Sequence, residues 1–261
     1  MIEVVDPLLI GGGVASAIFV GIVLSLMAGR RLGARAIARH GAVGSMQSLE
    51  AAVFALMGLL IAFTFSGALE RFDKRRAQVV EEANAIGTAW LRVDLLPAAA
   101  QPKLRDAFRE YVDSRIATYR KLPDIAAAAQ ELAHSQRMQS EIWNQSVAAL
   151  RQPEVRTSTE MLVVSALNEM FDITTVRLVA TRIHPPLIVY AMLFGLALAS
   201  ATLAGYQSAG EKGRDWVRMI GFAAIVAFTV YVILDIEFPR LGLVRIDAID
   251  QVLVDVRAGM K

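Results

Sequence analysis

The sequence predicts an all-α membrane protein: four transmembrane helices, with a helical extramembrane bundle inserted between helices two and three. Three observations predict it. Apolar residues make up 55% of the 261 positions and mean hydropathy is +0.46, above an ordinary soluble domain, yet charged residues still reach 20%. The apolar residues gather in four stretches close to the roughly 20 residues that cross a bilayer. The polar remainder repeats its apolar side chains at helical steps of three and four. Three regions follow: 1–69 with transmembrane helices one and two, 70–184 as the helical extramembrane domain, and 185–261 with helices three and four and a short C-terminal tail.

The first span runs from Pro7 to Ala28 and the second from Ala51 to Leu69, both without a charge. The third runs from Pro185 to about Gly205 and the fourth from about Trp216 to Ile236, with Arg218 near its start and Asp235 at its end. The first does not read as a typical secretory signal, because Glu3 and Asp6 precede it where basic residues belong and its apolar run is longer than usual. Small residues recur at four-residue spacing, Gly13, Ala17, Gly21 and Ser25 on the first span and Ala191, Gly195 and Ala199 on the third, and Ala51, Ala55, Ala62 and Ser66 roughly line the second. Such ridges let helices approach closely in lipid. They serve packing within the chain or between subunits.

Between spans two and three the pattern gives four helical segments. Phe72, Val79, Ala83, Ile86 and Trp90 continue span two without a breaker, so one helix is expected from about Leu49 to Leu95, stopped by Pro97. The second segment opens at Pro102, a favourable first position, carries Leu104, Phe108, Tyr111, Ile116 and Tyr119, and closes at Pro123. The third is capped by Asp124 and runs through Leu132, Ile142 and Val147 to Leu150. Pro153 opens the fourth, with Val155, Leu162, Ala166, Met170, Ile173, Ala180 and Ile183. Pro185-Pro186 then breaks the helix before span three. The first and fourth segments are expected to run antiparallel as stalks of spans two and three, with the other two packed on them.

Composition excludes several chemistries. The chain has no cysteine, which removes disulfides, thiolate metal sites and cysteine nucleophiles. Its net charge of +2 offers no case for a nucleic-acid partner. Gly11-Gly12-Gly13 lacks the Lys-Ser/Thr of a phosphate loop, and no Gly-x-Ser-x-Gly nucleophile motif occurs. No enzyme activity and no cofactor are expected, and no metal site is assigned. Glu131-x-x-His134 has the spacing of a di-iron ligand pair, but such sites use it twice and here it occurs once. Basic residues do not orient the chain: Arg30, Arg31, Arg35, Arg39, Lys212, Arg214 and Arg218 flank one side, Arg71, Lys74, Arg75, Arg76, Arg177, Arg182, Arg240 and Arg245 the other.

Two polar constellations are candidate ion-path sites. Glu81, Glu82 and Asn84 on the stalk of span two face Asn168, Glu169 and Asp172 on the stalk of span three, if the stalks are antiparallel. Converging carboxylate and amide oxygens can hold a hard cation or line a hydrated path; they can equally be solvated or pair with Arg92 and Arg177. Gly87, inside the same helix, suggests close backbone approach. Asp235 and Glu237 stand in Asp235-Ile236-Glu237-Phe238-Pro239-Arg240-Leu241-Gly242 at the end of span four, where acidic groups are expensive unless paired or hydrated. Arg240 is the structural partner to expect, and Pro239 with Gly242 reads as a helix stop.

Three stretches carry a resemblance: Glu50 to Ser66, Arg71-Phe72-Asp73-Lys74-Arg75-Arg76, and Glu81-Glu82-Ala83-Asn84-Ala85-Ile86-Gly87-Thr88. With the Asp-x-Glu-x-Pro-Arg-x-Gly ending, they resemble a bacterial family of unknown function known as bestrophin-like. Through that family the layout is similar to the bestrophin ion channels, although their aromatic-rich N-terminal motif has no counterpart and Arg182-Ile183-His184-Pro185-Pro186 only echoes their Pro-rich signature. The resemblance implies a homo-oligomer, pentameric in those channels, in the lipid bilayer of a bacterial inner membrane. It implies a cytoplasmic helical domain and a path for small inorganic ions lined by span two. Phe54, Phe63 and Phe65 are then candidate gate residues, since apolar rings gate by dewetting; otherwise they are ordinary helix packing. The alternative function is a non-conducting membrane scaffold or sensor whose helical domain binds a partner.

Overall fold

The computed structural model describes residues 7–42, 46–122, 124–210, 216–240, 243–244 and 246–261. Among the described residues the chain is helical, with no strand. In order come α1 (Pro7–His40), α2 (Gln47–Arg92) with a 3-10 turn at Val93–Leu95, α3 (Gln101–Arg120), α4 (Ile125–Leu150), α5 (Thr157–Ala180), α6 (Leu187–Gln207), α7 (Trp216–Glu237) and α8 (Asp247–Gly259). Pro123, Leu241 and Gly242, and the flanking charges Lys212, Arg214 and Arg245, lie outside the described residues, as does the side chain of Arg218. Four helices, falling within Gly12–His40, Gln47–Leu95, Leu187–Gly210 and Met219–Glu237, are long and apolar enough to cross a membrane. The chain forms two compact units: Met1–Phe72 with His184–Val244, and Asp73–Ile183 with Arg245–Lys261.

The first unit is apolar on its outside as well as in its core. Leu59, Leu187, Ile225 and Phe228 are all more than half exposed, which suits a lipid surround. Its interior is lined by Ile22, Leu26, Leu193, Ala197, Ala201, Ala223 and Val230. α1 and α6 run parallel, with Gly21 against Leu198 (3.5 Å from a Cβ built on Gly21) and Gly210 against Ile37 (3.6 Å). Their backbones meet at Gly29, Gly33 and Gly205: a methyl on Gly29 would overlap the Thr202 carbonyl, one on Gly205 the Leu26 carbonyl, and one on Gly33 the Ala209 Cβ at 2.6 Å. Within the chain, the small-residue ridges supply little of this approach: Gly21 and Ser25 are half-buried and the rest are not. Gly13, Ala17, Ala191, Gly195 and Ala199 are exposed, as is the second-span set Ala51, Ala55, Ala62 and Ser66. The span limit drawn at the first arginine cut α1 short of the glycines that make the approach.

The second unit is a soluble-type bundle around Val79, Ile86, Leu104, Phe108, Tyr111, Ile142 and Met170. Within it α2 and α5 run antiparallel: Arg75 Nε donates to the Ala180 carbonyl (3.2 Å), Arg177 pairs with Glu82, and Arg92 donates to the Leu162 carbonyl. α3 and α4 form an antiparallel hairpin, with Ser114 and Ser135 hydroxyls 2.9 Å apart and Lys121 2.5 Å from Glu131. Asp124 caps α4 as expected, accepting from the Ala127 amide at 2.9 Å. Pro153 does not open a helix. It occupies the second position of a turn closed by the Val155 amide on the Gln152 carbonyl (3.0 Å), and α5 starts at Thr157. The buried stripe of α5 is accordingly Val163, Ala166, Leu167, Met170, Ile173 and Arg177, while Leu162 and Ile183 are exposed. The C-terminal tail is also more than a tail. α8 buries Leu253, and Arg257 forks onto Asp113 of α3 at 2.9 and 3.0 Å.

Candidate functional site

α2 bears most of the candidate residues. From Ala52 through Leu56, Leu59, Phe63, Ser66, Glu70, Lys74, Ala77 and Glu81 to Asn84, every third or fourth side chain is exposed. That spacing is one face of a single helix. Gly58 and Gly87 have nothing within 4 Å of a built Cβ, so the close approach expected at Gly87 is not made within the chain. Opposite this stripe, Met57, Thr64 and Ala68 are buried in the first unit. The three candidate gate phenylalanines therefore part company. Phe63 lies on the open stripe, 66% exposed, and Phe65 is 38% exposed. Phe54 packs edge-on to Phe222 of α7 at 5.5 Å between ring centroids.

The two acidic residues at the end of α7 have structural partners. Asp235 is buried and accepts from the backbone amides of Leu243 (2.9 Å) and Val244 (2.7 Å), clasping the turn that follows α7. Glu237, 1% exposed, accepts from Arg71 of α2 through Nε (3.0 Å) and Nη2 (2.7 Å), and lies 2.9 Å from His184 Nδ1. His184 in turn stacks on Phe238 at 4.6 Å. One carboxylate thus joins α2, the segment leading into α6 and the end of α7.

Residues 14–248 match the bestrophin-like domain. The chain belongs to the bestrophin-like family. No curated protein matches it in sequence. Among solved structures, a bacterial bestrophin homologue from Klebsiella pneumoniae, crystallised as a point variant, aligns with a TM-score of 0.63 at 15% identity over 92% of this chain and 98% of that one. A second variant of that homologue gives 0.67 at 15% identity over 94% and 98%. A crystallised protein described only as a membrane protein gives 0.68 at 15% identity over 93% and 99%. At such identities the likeness is one of fold.

In the second unit of this bestrophin-like chain, the stalk constellation divides. Glu82 is fully buried, while Glu81, Asn84, Asn168, Glu169 and Asp172 are exposed. The α2–α5 register brings Asp172 nearly level with Asn84 and leaves Asn168 and Glu169 about one turn further along. Glu82 accepts from Arg115 of α3 through Nε (2.6 Å) and Nη2 (3.3 Å), and from Arg177 of α5. Tyr119 completes the cluster, with its hydroxyl 2.5 Å from Arg115 Nη2 and the Arg177 guanidinium 4.3 Å from its ring centre. Burial pushes the Glu82 carboxyl up, but the charges and hydrogen bonds of Arg115 and Arg177 outweigh it and hold the group below the usual carboxylate range. Glu131 turns to Lys121 and His134 to Glu110 at 3.3 Å; among the described residues no three His, Asp or Glu side chains gather as a metal site.

Arg115 is missing from the sequence-based candidates and Arg71 stands there only as a flanking charge, whereas the pairing of Arg177 with a stalk carboxylate, offered there as an alternative, is made with Glu82. An arginine at a core-facing helical step, as Arg115 is after Leu104, Phe108 and Tyr111, was the available signal. The backbone amides that hold Asp235 carry no side-chain signature at all.

Proposed function

We propose that this protein is a subunit of a homo-oligomeric channel for small inorganic ions, with α2 lining the pore. The observation that carries the reading is the continuous uncovered stripe of α2. In one chain it leaves Leu56, Leu59 and Phe63 bare; around a symmetry axis, copies of these residues would form apolar rings that gate by dewetting. Family membership and the likeness to bacterial bestrophin homologues support the same reading. Beyond the rings the stripe turns polar at Ser66, Glu70, Lys74, Glu81 and Asn84, as a hydrated vestibule requires. The second unit is the extramembrane domain in this reading, cytoplasmic under a bacterial inner membrane, and the assembly is a pentamer as in bestrophin channels. Exposed Asn168, Glu169 and Asp172 belong to the vestibule or to subunit contacts. Asp235, Glu237 and Glu82 instead hold the helices in place, because their oxygens are already occupied by amides and cations.

The test is ion flux through purified oligomer in liposomes under a salt gradient. Phe63→Ala should raise the basal current several-fold by wetting the constriction, and Glu81→Lys should move the reversal potential. Phe54→Ala should lower the yield of folded protein without that gain. Absence of any protein-dependent current, with Phe63→Ala as silent as the parent, would sink the channel reading and favour a scaffold.

A further inference from the structure

The second unit carries a groove that a pore does not use. It lies between the C-terminal half of α3 and α8 and measures about 430 Å³, within the range of small-molecule sites. Its floor is apolar, from Ile116, Ala117 and Val254, and its rim holds Arg120, Lys121, Arg257 and Asp113. The rim charges do not cancel. Asp113 is taken by Arg257 Nε and Nη2, and Lys121 is taken by Glu131. Arg120 is exposed and makes no hydrogen bond or ion pair among the described residues. Donors therefore remain along the rim of the groove: the whole Arg120 guanidinium, Arg257 Nη1, and two of the three Lys121 ammonium hydrogens. A carboxylate or phosphate meets complementary charge there, and an apolar body covers the floor behind it.

The geometry points to a binding site for a small, soluble amphiphilic anion, with its acidic head on Arg120 and its apolar body on Ile116, Ala117 and Val254. A soluble ligand is favoured over a lipid because neither α3 nor α8 is among the four helices long and apolar enough to cross a membrane. The site does not depend on ion conduction.

The test uses the full-length oligomer in nanodiscs of zwitterionic lipid, titrated calorimetrically with 2-naphthoate, with empty nanodiscs subtracted. Saturable binding is expected, weakened about tenfold or more in Arg120→Ala, the loss typical of a charge-assisted hydrogen bond. Arg151→Ala, at an exposed arginine elsewhere, should bind as the parent does. Inorganic phosphate and uncharged 2-naphthalenemethanol should each bind far more weakly, since each satisfies half the groove. Equal affinity in Arg120→Ala, or no saturable heat above empty discs, would overturn the site. Loss of naphthoate binding in discs containing an anionic phospholipid would assign the groove to lipid and overturn the soluble ligand. Unchanged binding in those discs supports it.

Discussion

Replacing Glu82 by Gln removes the one carboxylate that two buried guanidiniums share. Arg115 and Arg177 are 2% and 7% exposed, so neither can turn to water when its partner goes. Breaking a buried pair from one side costs about 3–5 kcal/mol, and here two cations are stranded rather than one. Arg177→Met should cost less, because Glu82 keeps its 2.6 Å bond to Arg115 and the remaining pair is neutral. Replacing all three residues by Met should restore much of the loss, since no charge is left buried. Denaturant unfolding in micelles, followed by tryptophan fluorescence in a Trp216→Phe background, isolates Trp90 and Trp143 of the second unit. The effect also has a pH signature. The folded-state carboxyl titrates below its unfolded value of about 4.3, so its contribution is complete above that pH. It is lost as pH falls through the lower, folded value. The gap between parent and Glu82→Gln should therefore stay constant from neutral pH down to about 5 and narrow in stronger acid. A Gln variant within about 1 kcal/mol of the parent, or a gap that does not change on acidification, would refute the view that this charge cluster holds α2, α3 and α5 together.

Gly205→Val should separate α1 from α6, because the new side chain must enter the Leu26 carbonyl; at least about 1–3 kcal/mol is lost and size-exclusion profiles should show aggregation, while Gly195→Val, with nothing within 4 Å of its Cβ, leaves the chain's own fold intact. Asp235→Ala strands the Leu243 and Val244 amides, at about 1–3 kcal/mol, and hydrogen exchange at those two amides should quicken sharply. Asp124→Ala removes the α4 cap for about 1 kcal/mol, measurable by the same unfolding assay, whereas Asp124→Ser should retain most of it.

The four apolar spans, the unbroken α2 and the Asp124 cap were legible in the residues because each depends on local chemistry: hydropathy over a window, absence of a breaker, one side chain beside its own helix start. Pro153 misled for the same reason. Proline suits a helix start and a turn equally, and the hydrogen bond from Val155 to Gln152 decided between them. Tertiary structure alone decided which charges lie inside. Arg115 and Arg177 reach Glu82 across 33 and 95 residues of chain, and a lone arginine in sequence looks the same whether a carboxylate waits in the core or water does. It also decided where backbones touch. Small residues recur along three of the spans, but among the described residues Gly29, Gly33 and Gly205 are the glycines that press against a facing backbone carbonyl, because contact depends on helix rotation and register that composition does not encode. The open stripe of α2 belongs to both kinds: its helical spacing is written in the sequence, and its exposure exists because the other helices of the chain cover only the opposite face.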